Sequence, residues 1–218
     1  MASRLVRGSI KGVIALAVLG ALAVLFVRSA DTSRSEPFVV SRDRLAGWRL
    51  ELEADAASGT LLTLRSDPQL VTQVSRQTFV RLAESQNTPG RPGIPLVLRS
   101  EYERALSGRV TPEMLLRAAR EAGLEDATFA PRCLVVRRLS EPRAPRAVYF
   151  IHFDAPQFGV FRQQVAQLLR GAGGDPSLFD PAALSPALIV AALDGDFDRW
   201  LPLRVESEAE CLAPIEVQ

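Results

Sequence analysis

One long apolar run stands near the start of the chain, and it predicts a helix that crosses a membrane. Residues 12–27 read GVIALAVLGALAVLFV, sixteen positions without a charge, between Lys11 and Arg28. At about 1.5 Å per residue, such a helix covers roughly 24 Å, and the flanking side chains extend it toward the ~30 Å hydrocarbon core. We expect an uncleaved signal anchor, with a cleaved secretory signal peptide as the alternative.

The next pattern is a period-two alternation of apolar and charged positions on both sides of a short turn. The apolar positions are Trp48, Leu50 and Leu52 before the turn and Leu62 and Leu64 after it. This alternation predicts a β-hairpin. Asp67 and Pro68 then form an N-cap and first-turn pair for a helix that runs to about residue 85. Residues 86–95 contain three prolines and two glycines, which predicts a loop.

From residue 96 onward the predicted order is strand, helix, strand, strand, helix, strand. The strands are residues 96–98, 133–139, 147–153 and 187–193, and the helices begin at Pro112 and Pro156. This order is typical of a ferredoxin-like fold, in which two helices cover one face of an antiparallel sheet. We therefore predict an α+β domain with a ferredoxin-like sheet and an additional N-terminal hairpin and helix.

Charge adds an orientation to this picture. The whole chain has 26 basic and 25 acidic residues, but the first 30 residues carry Arg4, Arg7, Lys11 and Arg28 and no acid. Basic residues before the apolar run place the N-terminus in the cytoplasm and the rest outside, for example in a periplasm. The remaining 188 residues are mildly acidic, which excludes a strongly basic nucleic-acid binder.

The predicted organisation has four parts. Residues 1–11 are a short basic cytoplasmic tail, 12–27 the transmembrane anchor, 28–44 a polar tether, and 45–218 one extracytoplasmic α+β domain. If the apolar run were cleaved instead, the domain would be secreted.

The only two cysteines, Cys133 and Cys211, both lie in the predicted exported domain. An oxidising compartment allows them to pair, so we predict a disulfide. Two buried thiols that never meet are the alternative. Two cysteines and one histidine do not supply the four ligands of a structural zinc site, and we predict no metal, cofactor or catalytic set.

The single histidine, His152, lies on the predicted strand 147–153. Alternation places it on one face with Val148 and Phe150, and that face needs a cover such as the Trp48 hairpin, a partner or a ligand. A lone strand histidine is typically structural. As a general base it needs a nucleophile and an orienting acid, for which Asp154 is a candidate.

Two charged clusters have both a functional and an ordinary interpretation. Asp194, Asp196 and Asp198 offer oxygen ligands at alternate positions, as calcium loops do, but Arg199 and Val205 stand where an EF-hand needs glycine and glutamate. A solvated turn is the ordinary interpretation. The second cluster is basic and surrounds the central hairpin. Its functional interpretation is a binding surface for anionic lipid or an acidic partner, and its ordinary interpretation is a solvated hairpin end. It comprises Arg132, Arg137, Arg138, Arg143 and Arg146.

These features favour binding over catalysis. The first hypothesis is a single-pass, membrane-anchored envelope protein whose exported domain is a non-catalytic binding or assembly module. Its partners are the bilayer, through residues 12–27, and either another protein or further copies of itself. The alternatives are an anchored hydrolase that uses His152 and nearby acids, and an exported ligand or calcium sensor.

Overall fold

The computed structural model describes residues 36–139 and 146–218, together with Gly20. The predicted tail, almost all of the predicted anchor and residues 28–35 of the predicted tether lie outside the described residues. Among the residues that are described, no helix is long and apolar enough to cross a membrane.

The compact unit of the described chain runs from Pro37 to Gln218, so it begins earlier than the predicted boundary at residue 45. Strand β1, Phe38–Val40, lies within the segment that we predicted as tether. It belongs to the fold because Phe38 and Val40 are buried and because β1 pairs with the last strand of the chain.

The larger sheet has five strands. Its order is β1, β8 (Cys211–Val217), β5 (Ala130–Leu139), β6 (Arg146–Asp154) and β7 (Ala187–Ala192). Only the β1–β8 pair is parallel, and the β5–β8, β5–β6 and β6–β7 pairs are antiparallel. The predicted central hairpin and the strand at residues 187–193 are therefore confirmed, with β6 and β7 as direct neighbours.

The smaller sheet has three antiparallel strands in the order β2 (Arg49–Leu52), β3 (Thr60–Arg65) and β4 (Gly93–Leu98). The β2–β3 pair confirms the predicted hairpin. The ferredoxin-like topology is wrong, although the order of elements along the chain is right. In that topology β4 lies between β6 and β7, but here β6 and β7 bond directly and β4 takes the free edge of β3.

Three longer helices pack against these sheets: α1 (Pro68–Leu82), α2 (Pro112–Glu121) and α3 (Pro156–Gly171). Each has proline in its first turn. The side chain of Asp67 accepts a hydrogen bond from the Gln69 N–H and caps α1, as predicted, while Ala83 ends α1 in a left-handed conformation. Thr111 caps α2 in the same way.

The two faces of the five-stranded sheet contribute to different apolar clusters. Tyr149, Ile151 and Phe153 on β6 belong to the main core, which also contains the buried residues of the helices and of the smaller sheet. Val148 and Phe150 lie on the opposite face, in a smaller cluster with Trp200 and Leu203. The period-two assignment of β6 is therefore confirmed.

Three of the four edge strands are closed by side chains or by loop backbone. The amide of Gln77 in α1 accepts a hydrogen bond from the Val39 N–H at 2.9 Å and donates to the Val39 carbonyl at 2.7 Å, which closes β1. Glu125 accepts from the Leu50 N–H on β2, and Asn87 forms an antiparallel bridge with β7. Unpaired edges template the addition of other strands, and each of these contacts occupies a position on one of three such edges.

A buried ion pair connects the smaller sheet to α3. The guanidinium of Arg162 donates to both carboxylate oxygens of Glu101, at 2.9 and 2.7 Å, and to the carbonyl oxygens of Leu96, Asp180 and Pro181. Both charged side chains are buried, Arg162 completely. Leu96 belongs to β4, which is the fourth edge strand. Arg162 therefore also provides a hydrogen-bond donor for one carbonyl of that edge.

Candidate functional site

Cys133 and Cys211 form a disulfide, as predicted, with 5.7 Å between their Cα atoms and 78 positions of sequence between them. Cys133 is buried on β5, and Cys211 is the first residue of β8. The bond joins neighbouring antiparallel strands on the same side of the sheet as Val148 and Phe150. It therefore links the end of the chain to the central hairpin.

His152 lies on the sheet face that alternation predicted, but the Trp48 hairpin, one of the three covers that we considered, does not lie over that face. Trp200 and Leu203, from the segment that follows β7, cover the Phe150 side of the sheet. Trp48 packs on the opposite face, with its ring 4.8 Å from that of Phe129 and 5.9 Å from that of Phe153. After β7 the chain crosses the face of the five-stranded sheet that carries Phe150. Sequence periodicity does not predict which distant segment covers a sheet face.

Beside this cover, His152 is half-buried in a cleft of about 440 Å³, which we call the His152 cleft. Its polar lining comprises Arg132, His152, Asp154, Gln163 and Ser185. Strand β6 supplies the histidine and the aspartate, α3 supplies Gln163, and the loop before β7 supplies the serine. The Ser185 hydroxyl accepts a hydrogen bond from the Val205 N–H at 2.9 Å.

The electrostatic surroundings of His152 keep its imidazole neutral. Burial lowers the pKa of His152 below its ordinary value of 6.5, and the positive charge of Arg132 lowers that pKa further. Asp154 and Glu210 act in the opposite sense and do not outweigh these two effects. At neutral pH the ring is therefore able to accept a hydrogen bond at one nitrogen and to donate one at the other.

Two of the three aspartates considered as calcium ligands, Asp194 and Asp196, have hydrogen-bond partners within the same segment. Asp194 accepts a hydrogen bond from the Asp196 N–H, and Asp196 pairs with the Arg199 guanidinium at 3.0 Å. In the described part of the chain, no three acidic, histidine or cysteine side chains form a group that could hold a metal ion. The hydrogen bonds of Asp194 and Asp196 are those of a turn, the ordinary interpretation of this cluster.

Asp196 and Asp198 border a second cleft of about 440 Å³ between the smaller sheet and the loop after β7, which we call the Asp198 cleft. Its opposite wall holds a salt-bridge cluster in which Arg65 pairs with Glu51 and Glu53, and Arg91 pairs with Glu51. The hydrogen bond from Arg65 has the largest effect on Glu51 and, with Arg91, holds the pKa of that carboxyl below its usual range. Both walls of this cleft are therefore charged.

The described arginines of the central hairpin have carboxylate partners on both faces of the sheet. Arg132 pairs with Glu208, Arg137 with Glu210, Arg138 with Glu84 and Arg146 with Asp194. Arg143 lies outside the described residues. Each of these pairs offsets a positive charge that we had considered as a contact for anionic lipid or for an acidic partner.

Sequence reasoning missed a network around Tyr149. The Tyr149 hydroxyl donates to Glu84, and Arg138 donates to both the Glu84 carboxylate and the Tyr149 oxygen. Burial alone raises the pKa of Glu84, but the hydrogen bonds from Tyr149 and Arg138 outweigh it, so that the pKa lies below its usual range. Burial and the adjacent carboxylate raise the pKa of Tyr149.

The Arg162–Glu101 pair was also missed, although the sequence contains a signal for it. Arg162 follows Phe158 by four positions and lies on the apolar stripe of α3, where a charged residue needs a buried partner. Nothing comparable marks Glu84 in the sequence, because its partners are brought to it by β5 and β6.

Comparison of the chain with protein-family models, with curated proteins and with solved structures finds no match in any of the three.

Proposed function

We propose that this chain is a single-pass, membrane-anchored envelope protein whose extracytoplasmic domain is a non-catalytic binding or assembly module. The observation that carries the proposal is the disulfide between Cys133 and Cys211. Structural disulfides persist in oxidising compartments and are rare in the cytosol. The apolar run at residues 12–27, with its basic N-terminal flank, supplies the means of anchoring.

Recognition by preformed clefts and helix faces is the mode of binding that we propose. The closed edges at β1, β2 and β7 oppose the addition of a partner strand. The two clefts present charged groups that ion pairs hold in position, Arg65 with Glu53 in the Asp198 cleft and Arg132 with Glu208 in the His152 cleft. Fixed groups of this kind favour affinity because little side-chain entropy is lost on binding.

Site-specific photocrosslinking of the full-length protein in its native cells tests this role. A photoreactive residue in place of Phe197 lies in the Asp198 cleft, and we expect it to capture a reproducible protein partner or a second copy. The matched control places the same residue at Leu178, which is exposed but lines neither cleft. Equal capture at the two positions, or monomer alone at both, contradicts the proposal.

A second candidate, the anchored hydrolase, has one specific observation in its favour. His152, Asp154 and Ser185 line the same cleft, and these are the residue types of a nucleophile, a base and an orienting acid. The neutral imidazole is the form that a general base requires. In this hypothesis Ser185 gives up its hydrogen bond with Val205 when it attacks.

A fluorophosphonate probe separates this candidate from the binding module, since it labels activated serines. The hydrolase hypothesis predicts labelling of the full-length chain that Ser185→Ala and His152→Ala abolish and that Ser177→Ala leaves unchanged. Absence of labelling in the wild-type protein contradicts the hydrolase and leaves the binding role as it stands.

A further inference from the structure

One face of α1 is both apolar and basic. Phe79 is 55% exposed and Val80 is 79% exposed. Within the part of the chain that the structure describes, they are the only adjacent pair among the large exposed hydrophobic side chains. The exposed residue Arg76 lies one turn before Val80, and α1 contains arginines but no acid. We call Arg76, Phe79 and Val80 the α1 face.

A cleft of about 330 Å³ adjoins this face, lined by Ser75, Arg76, Phe79, Val80, Gln86 and Thr88. The side-chain amide nitrogen and oxygen of Gln86 are buried without a hydrogen-bond partner among the described residues. Buried polar groups ordinarily have partners. The cleft therefore combines a guanidinium, an unpartnered amide and apolar walls.

The chain enters the compact unit alongside α1. Arg81 donates to the Pro37 carbonyl at 2.7 Å, and its guanidinium lies 4.2 Å from the centre of the Phe38 ring. Only nine residues, 28–36, separate the predicted membrane helix from Pro37. Fully extended, they span at most about 32 Å. If residues 12–27 form the proposed anchor, this connection limits the distance between Pro37 and the bilayer.

We propose that the α1 face docks on the surface of the bilayer, with anionic phospholipid as its partner. This inference rests on the proposed membrane anchor. Phe79 and Val80 enter the interfacial region, where apolar side chains are stabilised. Arg76 binds lipid phosphate, because a guanidinium holds phosphate with two hydrogen bonds, and the Gln86 amide lies beside it for a headgroup. The paired arginines of the central hairpin are not needed for this contact.

The two native cysteines are joined in a disulfide, so one introduced cysteine provides a unique labelling site. The test uses the full chain with Val80→Cys, labelled with bimane and reconstituted in phosphatidylcholine vesicles with or without phosphatidylglycerol. Doxyl-labelled lipid then serves as the quencher. The matched control is Val160→Cys on α3, which is 48% exposed.

We expect doxyl lipid to cause a loss of emission at position 80 that is larger with phosphatidylglycerol, and little loss at position 160. Arg76→Gln should remove the dependence on phosphatidylglycerol. Protein that floats with the vesicles but shows no quenching at position 80, or equal quenching at both positions, overturns the docking inference alone. The bimane emission at position 80 could instead change without doxyl lipid and change more as the protein-to-lipid ratio rises. That result would assign the α1 face to a second copy of the chain and would also overturn the docking inference. Protein that does not float overturns the anchor and the docking together.

Discussion

Arg162 is the largest side chain that the described fold buries completely. Its positive charge is tolerated because Glu101 and three carbonyl oxygens surround it. Removing one member of such a pair leaves the other charge buried and uncompensated, which typically costs more than the pair itself contributes. The pair joins α3 to the segment that follows β4, and each buried charge has a partner.

Arg162→Met should lower the free energy of unfolding by about 3–5 kcal/mol, because the Glu101 carboxylate loses its partner in the interior. Urea denaturation of the purified protein measures this loss. Arg170→Met, an exposed position on the same helix, should change stability by less than about 0.5 kcal/mol. The double variant Arg162→Met with Glu101→Leu should recover much of the lost stability. Equal stability of Arg162→Met and Arg170→Met would refute the role of Arg162 as the partner of the buried Glu101 carboxylate.

Tyr149→Phe should reduce stability at neutral pH by about 1–2 kcal/mol, since the Glu84 carboxylate loses a hydrogen-bond donor. The folded state lowers the pKa of Glu84, so its contribution is present above its ordinary pKa of 4.5 and is lost as pH falls through the lowered value. The difference between wild type and variant should therefore shrink as the pH drops below 4.5. Chemical denaturation at several pH values measures it.

The control for this prediction is the chain's other tyrosine. Tyr102→Phe should change stability by an amount that does not depend on pH in this range, because Tyr102 is not part of the Glu84 network. A Tyr149→Phe effect that stays constant through acidic pH would contradict the assignment of Glu84 as its partner.

At the scale of elements, periodicity predicted the strands and helices that are long or that alternate clearly. Strand β7 was predicted from its continuous apolar run, and all six of its residues are buried. Strands β1 and β8 were missed because β1 has three residues and Pro214 interrupts β8. Partner choice was mispredicted for β4, since its pairing with β3 depends on which edges remain free after the chain has folded.

At the edge strand β1, the side chain of Gln77 makes the hydrogen bonds to the Val39 backbone that a neighbouring strand would otherwise make. Gln77→Met keeps the size of the side chain but leaves the Val39 N–H and C=O without their partner. We expect a loss of about 1–2 kcal/mol and much faster amide hydrogen exchange at Val39. Gln69→Met, at an exposed position on α1, is the control. Unchanged protection of the Val39 amide would show that Gln77 does not close the edge.

At the scale of the whole molecule, the sequence was most informative about the disulfide and about the two faces of strand β6. Two cysteines in one predicted compartment led to the correct disulfide, and alternation placed His152 on the correct face. The clefts were not predictable, because residues far apart in sequence such as Arg65 and Asp198 meet only after both sheets have formed. The pairing of the hairpin arginines was hidden for the same reason.

Loss of the disulfide should affect the stability of the entire unit. A crosslink across 78 positions of sequence lowers the entropy of the unfolded chain. In the chain-entropy model this raises the free energy of the unfolded state by about 4 kcal/mol. The double variant Cys133→Ala with Cys211→Ala should be destabilised by about that amount, as measured by urea denaturation. The oxidised protein treated with reductant should match the double variant. If reduction leaves the urea midpoint unchanged, the bond does not stabilise the domain.

We propose that this domain works outside the cytoplasm at the end of a membrane anchor. The most direct test of this proposal is thiol labelling of the full-length chain in carbonate-washed membranes from acid-quenched native cells, with maleimide-polyethylene glycol as the reagent. We predict no gel shift before reduction and a shift by two reagent molecules after it, since both cysteines are bonded. A shift without reductant, or recovery of the chain in the carbonate supernatant, would contradict the claim.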